Sequence, residues 1–221
     1  ELRRELVLDL AAQGDPRRQV HALRAGHLLL SAQDMLALAQ AMASAPEVVQ
    51  MQLAFALGDH ALDPAARERL GRLLSAGIDS PYIRQAVVRA VHGKELNFLA
   101  ELLAAGGLAQ ETEGAATALA SIAGSGYRSI RGDLGSSENP DPALLEILAL
   151  AESQSEDMSW QQIAMLSGFE SVVLADGFVP AKFAAAPPIF TDATVSEKDP
   201  LWDARLRARR AFTWPGDEMA L

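Results

Sequence analysis

Apolar positions recur at helical spacing along most of the chain. The clearest stretch is Ser80–Gly107, SPYIRQAVVRAVHGKELNFLAELLAAGG. Ile83, Ala86, Val87, Ala90 and Val91 fall at i, i+3, i+4, i+7 and i+8, which places them on one face of a helix. Ser80 is a good N-cap, and Pro81 suits a first helical turn. His92-Gly93 ends that helix. Leu96, Leu99, Leu102 and Leu103 form a second stripe, closed by Gly106-Gly107. Neither stripe can be buried by its own helix, so each needs a neighbour.

The same pattern returns on both sides. Gly26, Gly58, Gly93 and Gly124 are expected to end the first helix of successive pairs, at spacings of 32, 35 and 31 residues, with Gly168 a further 44 on. Start signals precede them at Asp15-Pro16, Ala45-Pro46, Ser80-Pro81, Thr112 and Asp157. Partner helices are expected over Ala32–Ala43, Pro64–Leu74, Lys94–Ala104 and Pro142–Glu152. Helix pairs repeating with a period in the thirties predict an all-α, HEAT- or armadillo-like α-solenoid of about five pairs over residues 1–174. The ankyrin TPLH turn and the tetratricopeptide Trp/Gly/Tyr pattern are both missing. Val87, Leu99 and Leu53 are expected in the core.

Two segments break the period. From Gly124 to Pro142 the composition is that of a loop, and long loops of repeat proteins often bind something. That makes Tyr127, Arg128, Arg131 and Asp133 a candidate interaction loop. Residues 175–221 begin with a proline-rich stretch that one helix cannot span. Asp199-Pro200 then starts a short helix, LWDARLRARRAF. This tail is expected to be an irregular cap or linker, with Leu201, Trp202, Leu206 and Phe212 giving it apolar groups to bury.

Composition narrows the chemistry. Apolar residues make up 49% but aromatics only 5%, which suits close helix packing better than a sheet core. The net charge of −10 argues against nucleic acid as a partner. The absence of cysteine excludes disulfides, thiolate metal ligands, CxxCH haem attachment and a thiol nucleophile within this chain. No run is long enough to cross a membrane, so no insertion is expected. The chain starts at Glu1, inside a helical pattern and without an initiator Met, as a piece of a longer protein would.

No catalytic motif stands out, and no catalytic, cofactor or metal residue is assigned. His27, His60 and His92 lie beside repeat glycines, but helix-packing distances of roughly 10 Å between repeats are too long for one shared ion. Gly124-Ser125-Gly126 follows a helix and lacks the GK[ST] ending of a phosphate loop. Asp133, Glu138, Asn139 and Asp141 do not match a calcium loop and read as solvated. There is neither GxSxG nor HExxH. Between Gly132 and Ala181 nine acidic residues occur with no Lys or Arg. Arg205, Arg207, Arg209 and Arg210 then cluster, so the last helix is expected to fold back on acidic repeats; the alternative is an acidic surface for a basic partner.

Three repeat stretches carry a family resemblance: VVQMQLAFALGD (Val48–Asp59), SPYIRQAVVRAVHGKELNFLAELL (Ser80–Leu103) and DMSWQQIAMLSGF (Asp157–Phe169). With the terminal TWPGDE (Thr213–Glu218), they make the chain resemble the HEAT-like segment of large bacterial haem-binding, "membrane-bound dehydrogenase" proteins. In those chains a β-propeller precedes the repeats and a c-type cytochrome follows. The resemblance implies a non-catalytic spacer or docking module, in an exported or periplasmic location. Its partners would be other domains of the parent chain or another protein. It carries no electron-transfer role onto any residue here, because neither propeller nor CxxCH is present. The alternative reading is an enzyme on a HEAT-like frame, such as a DNA glycosylase. That would need a basic groove and an acid-bearing aromatic pocket, for which Trp160, Glu156 and Asp157 are the nearest material.

Overall fold

The computed structural model describes residues 1–13, 15–27, 29–134, 142–174, 178–192 and 194–216, without the side chains of 132–134. Over these residues it is all-α apart from one two-residue strand pair. In chain order the helices are α1 (Leu2–Gln13), α2 (Pro16–Gly26), α3 (Ala32–Ala41), α4 (Glu47–Gly58), α5 (Pro64–Ala76), α6 (Pro81–Ala90), α7 (Glu95–Ala104), α8 (Glu113–Leu134), α9 (Pro142–Glu152), α10 (Ser159–Val173), α11 (Pro188–Thr191) and α12 (Pro200–Ala208).

Helix starts follow the capping chemistry in the sequence. The side chains of Asp15, Asp63, Ser80 and Asp199 each accept a backbone N–H of the first turn, and each is followed by Pro at the first helical position. Ser31 and Asp34 form a reciprocal capping box on α3.

The chain divides into two compact units: Glu1–Lys94 with Glu101–Leu108, and Glu95–Ala100 with Ala109–Leu221. The described tail belongs to the same unit as α8 to α10.

In the first unit α4 packs against both α2 and α6, and α3 packs against α1 and α5. Val87 and Leu53 are buried as expected. Polar links join partners 28 to 34 positions distant in sequence. Arg4 Nε donates to Asp34 at 2.9 Å, and Arg24 Nε to Gln52 at 2.8 Å. Ser80 Oγ donates to Glu47. Buried Arg67 spans from α5 to Glu101 at 2.8 Å, and its Nη1 donates to the carbonyls of Ala61 and Leu62. The neighbouring backbones are close. A Cβ on Gly58 would lie 2.9 Å from the Cα of Ala90.

In the second unit α8 and α10 form the central pair; α9 packs against both, α12 against α10, and α11 against α9 and α12. Leu99 is fully buried. Gly124 and Gly168 do not end helices, contrary to expectation. Both sit inside them, where α8 and α10 cross. Of the five glycines expected to end helices, only Gly93 takes the left-handed conformation of a helix stop, at φ +73°.

The tail folds onto this pair. Strand β1 (Ala181–Lys182) pairs in parallel with β2 (Phe212–Thr213), and Phe183 N–H donates to Thr213 O at 2.7 Å. Leu201 and Phe212 are buried as expected, Trp202 is half-buried, and Leu206 stays exposed.

Candidate functional site

The expected interaction loop is corrected at its first half. Tyr127, Arg128 and Arg131 lie on α8, which continues through the Gly/Ser-rich stretch to Leu134. The apolar periodicity of Ala115, Ala118, Leu119, Ile122, Ala123 and Tyr127 runs straight across Gly124 and carries the helix with it. Asp133 also falls in α8, but its side chain lies outside the described residues, as do Glu138, Asn139 and Asp141. Arg128 is exposed and Arg131 half-buried.

Tyr127 points inward. It is 2% exposed, and its Oη donates to the Ala211 carbonyl at 2.9 Å. Burial pushes its phenol up to about 12, against the opposite pull of Arg131 and of the Ala181 backbone N–H. One side chain of α8 thus ties down both arms of the tail. Around it Phe169 and Phe212 pack edge-on at 5.6 Å, and Phe183 stacks on Phe212 at 5.4 Å. The few aromatic residues are concentrated here, which the low overall percentage conceals.

Beside this cluster is a cleft of about 160 Å³ lined by Phe190, Asp192, Trp202, Arg205, Leu206 and Arg209. Trp202, Arg205, Leu206 and Arg209 follow one another at i, i+3, i+4 and i+7, so α12 and the 3₁₀ turn after it present them on one face. Arg205 is 7% exposed. Its Nη1 donates to Asp192 Oδ2 at 3.2 Å, while its buried Nε has no hydrogen-bond partner. Asp192 Oδ1 accepts from Thr194 N–H at 3.0 Å and Thr194 Oγ1 at 2.7 Å. These Thr194 bonds, then Arg205, hold the Asp192 carboxyl down at about 2. Arg209 lies 5.0 Å from the centre of the Trp214 ring, and that ring stacks on Phe190 at 6.0 Å.

The sequence reading assigned none of these residues to a site. The i, i+3, i+4, i+7 face of Trp202, Arg205, Leu206 and Arg209 was the available signal. Of the basic cluster, Arg207 reaches α10, its Nε donating to Glu170 at 2.9 Å. Arg205 instead pairs within the tail.

The remaining candidates do not converge. His27 Nδ1 lies 3.3 Å from Asp59 Oδ2, and His21 and His92 are exposed. Among the described residues no group of three or more His, Cys, Asp or Glu is placed to hold a metal ion. Trp160 is buried on α10, whereas Glu156 and Asp157 are exposed. Glu95 is buried and accepts from Ser125 and Ser129 of α8, both at 2.8 Å. It is a link between α7 and α8. No helix of the described residues is long and apolar enough to cross a membrane.

Comparison with protein-family models, with curated proteins and with solved structures gives no match for this chain.

Proposed function

We propose that this chain is a non-catalytic helical-repeat scaffold or protein-interaction module of HEAT-like type, from a larger bacterial haem-containing dehydrogenase-like protein. The observation that carries the reading is the set of polar links between positions roughly one repeat apart, such as Arg4 with Asp34, Glu47 with Ser80, and Arg67 with Glu101. A chain built by stacking similar helix pairs repeats its contacts at the period of the pair. Such a frame spends its buried groups on joining neighbours and leaves a broad side-chain surface for partners. Its partners on this reading are other domains of the parent protein or a second protein, in an exported compartment.

Two measurements test it. Titration with a labelled DNA duplex at low salt should give no saturable binding, and micromolar affinity would replace the scaffold with the nucleic-acid enzyme. The coding sequence around this segment should encode a propeller upstream and a CxxCH cytochrome downstream. Neither being present would remove the dehydrogenase parentage and leave the scaffold reading to be judged by the first test.

A further inference from the structure

In the first unit α4 lies between α2 and α6, with α3 and α5 packed behind it. Arg24 of α2 reaches Gln52 on one flank of α4. Ser80 reaches Glu47 on the other, where Gly58 also meets Ala90 of α6. Leu53 and Leu57 are buried on its inner side. One side of α4 remains, and it is apolar. Val48 and Phe55 are exposed there and Met51 is half-buried. They stand at i, i+3 and i+7, a single row about 10 Å long at 1.5 Å per residue.

The charge beside this row runs against that of the chain, which is −10. Three arginines lie on α2 and two on α6, and the only carboxylate of the three helices is Glu47, which accepts from Ser80. Asp59, just past the end of α4, is paired with His27. Arg17 and Arg24 are exposed on α2, seven positions apart and so on one face. Tyr82 and Arg89 are exposed on α6 at the same spacing. Cations therefore flank the apolar row on both sides.

We propose that this face docks an acidic amphipathic helix of another protein, its apolar ridge on Val48, Met51 and Phe55 and its carboxylates towards Arg17, Arg24 and Arg89. A helix with a narrow apolar ridge and carboxylates on either side is the complement of such a face in both shape and charge. A nucleic acid fits less well, because its phosphates draw affinity from cations along the track, and the centre of this face is apolar. A second copy fits less well too. A two-fold contact would set this face against itself and bring arginine against arginine. The proposal rests on the interaction-module reading and names the class of its partner.

Fluorescence anisotropy with the full chain tests it. The probe is a labelled synthetic peptide of about five helical turns, with Leu on one face and Glu on the other. It should bind saturably at low salt and several-fold more weakly when salt is raised about fivefold. The same peptide with Lys in place of Glu should bind at least about tenfold more weakly. The charge of the whole chain would favour the lysine peptide, so the order of the two reports the local face. Phe55→Glu, at an exposed position in the row, should weaken binding of the acidic peptide at least about tenfold. Leu145→Glu, at an exposed position on α9 of the second unit, should leave it unchanged. The peptide comparison uses the unaltered chain, so it decides the question even if Phe55→Glu does not fold. No saturable binding, tighter binding of the lysine peptide, or undiminished binding to a folded Phe55→Glu protein overturns the proposal. So does self-association of the chain in sedimentation that Phe55→Glu abolishes, because the occupant is then a second copy. Saturable binding of a DNA duplex overturns this proposal and the scaffold reading together, whereas the other failures leave that reading standing.

Discussion

Gly124 on α8 and Gly168 on α10 meet backbone to backbone. A Cβ on Gly168 would lie 2.3 Å from the Ala120 carbonyl oxygen and 2.9 Å from Gly124 N, and one on Gly124 would lie 2.8 Å from the Gly168 carbonyl oxygen. The atoms in the way are main-chain atoms of a helix, which cannot rotate aside as a side chain can. Glycine is needed here for close approach and not for an unusual φ. The pair fixes the spacing of the two helices on which the tail rests.

Gly168→Ala should therefore destabilise the protein by about 1–3 kcal/mol or more, as an overpacked site does, although alanine favours a helix interior by about 1 kcal/mol. Chemical denaturation measures the balance. An unchanged or higher midpoint would show that α8 and α10 do not cross at these residues.

Tyr127→Phe removes one hydroxyl and leaves the ring contacts. Losing the bond to the Ala211 carbonyl should cost about 1–3 kcal/mol, because that acceptor is left buried. The parent protein should also carry a pH signature. Its folded phenol keeps the proton up to about 12, while an unfolded tyrosine releases it near 10. The native state binds more protons in that window, so its stability should fall as pH rises from about 10 to about 12. Melting curves of the phenylalanine variant should lack this part of the alkaline slope.

Asp34 gives the opposite dependence. Its bond to Arg4, then its bonds to Ser31, hold the carboxyl down at about 2, below the roughly 3.9 of an unfolded aspartate. A depressed carboxylate contributes stability that is present above the unfolded value and lost as pH falls towards the folded one. Asp34→Asn should thus melt lower than the parent at neutral pH, with the gap shrinking below about pH 4 and closing near pH 2. A gap that is constant across this range would mean that the Arg4 link does not form in solution.

Ending the chain at Asp192 deletes Leu201, Ala211 and Phe212 from the core and strands the Tyr127 hydroxyl and Glu170. The melting temperature should drop clearly, and salt should change that drop only modestly, because an exposed pair such as Arg207–Glu170 is worth about 0–1 kcal/mol. A truncated protein with the parent's melting temperature would make the tail a linker.

Leu99→Ala, at a fully buried site, should cost about 2–5 kcal/mol. A loss well below that range in urea denaturation would remove Leu99 from the core.

The sequence by itself determined what is local. Period-3.6 stripes set the helices, and the Asp-Pro and Ser-Pro pairs set their starts to within a residue or two. Capping and amphipathicity act within one turn of the chain, so a reader of the sequence sees them whole. Gly124 shows the limit. A glycine in a Gly/Ser-rich stretch satisfies the local rule for a helix end, yet α8 runs on because its apolar stripe continues and α10 needs the missing Cβ. Tyr127 shows the same limit for the site. Placed in a loop by composition, it is a buried anchor because Ala211, 84 positions away, offers it a carbonyl. The cleft was also beyond local reading. Phe190 and Asp192 precede α12 by an irregular stretch with no periodicity, and only the docking of the tail brings them beside Trp202 and Arg205. Contacts between residues far apart in sequence were decided by tertiary packing, because neither partner carries a local mark of the other.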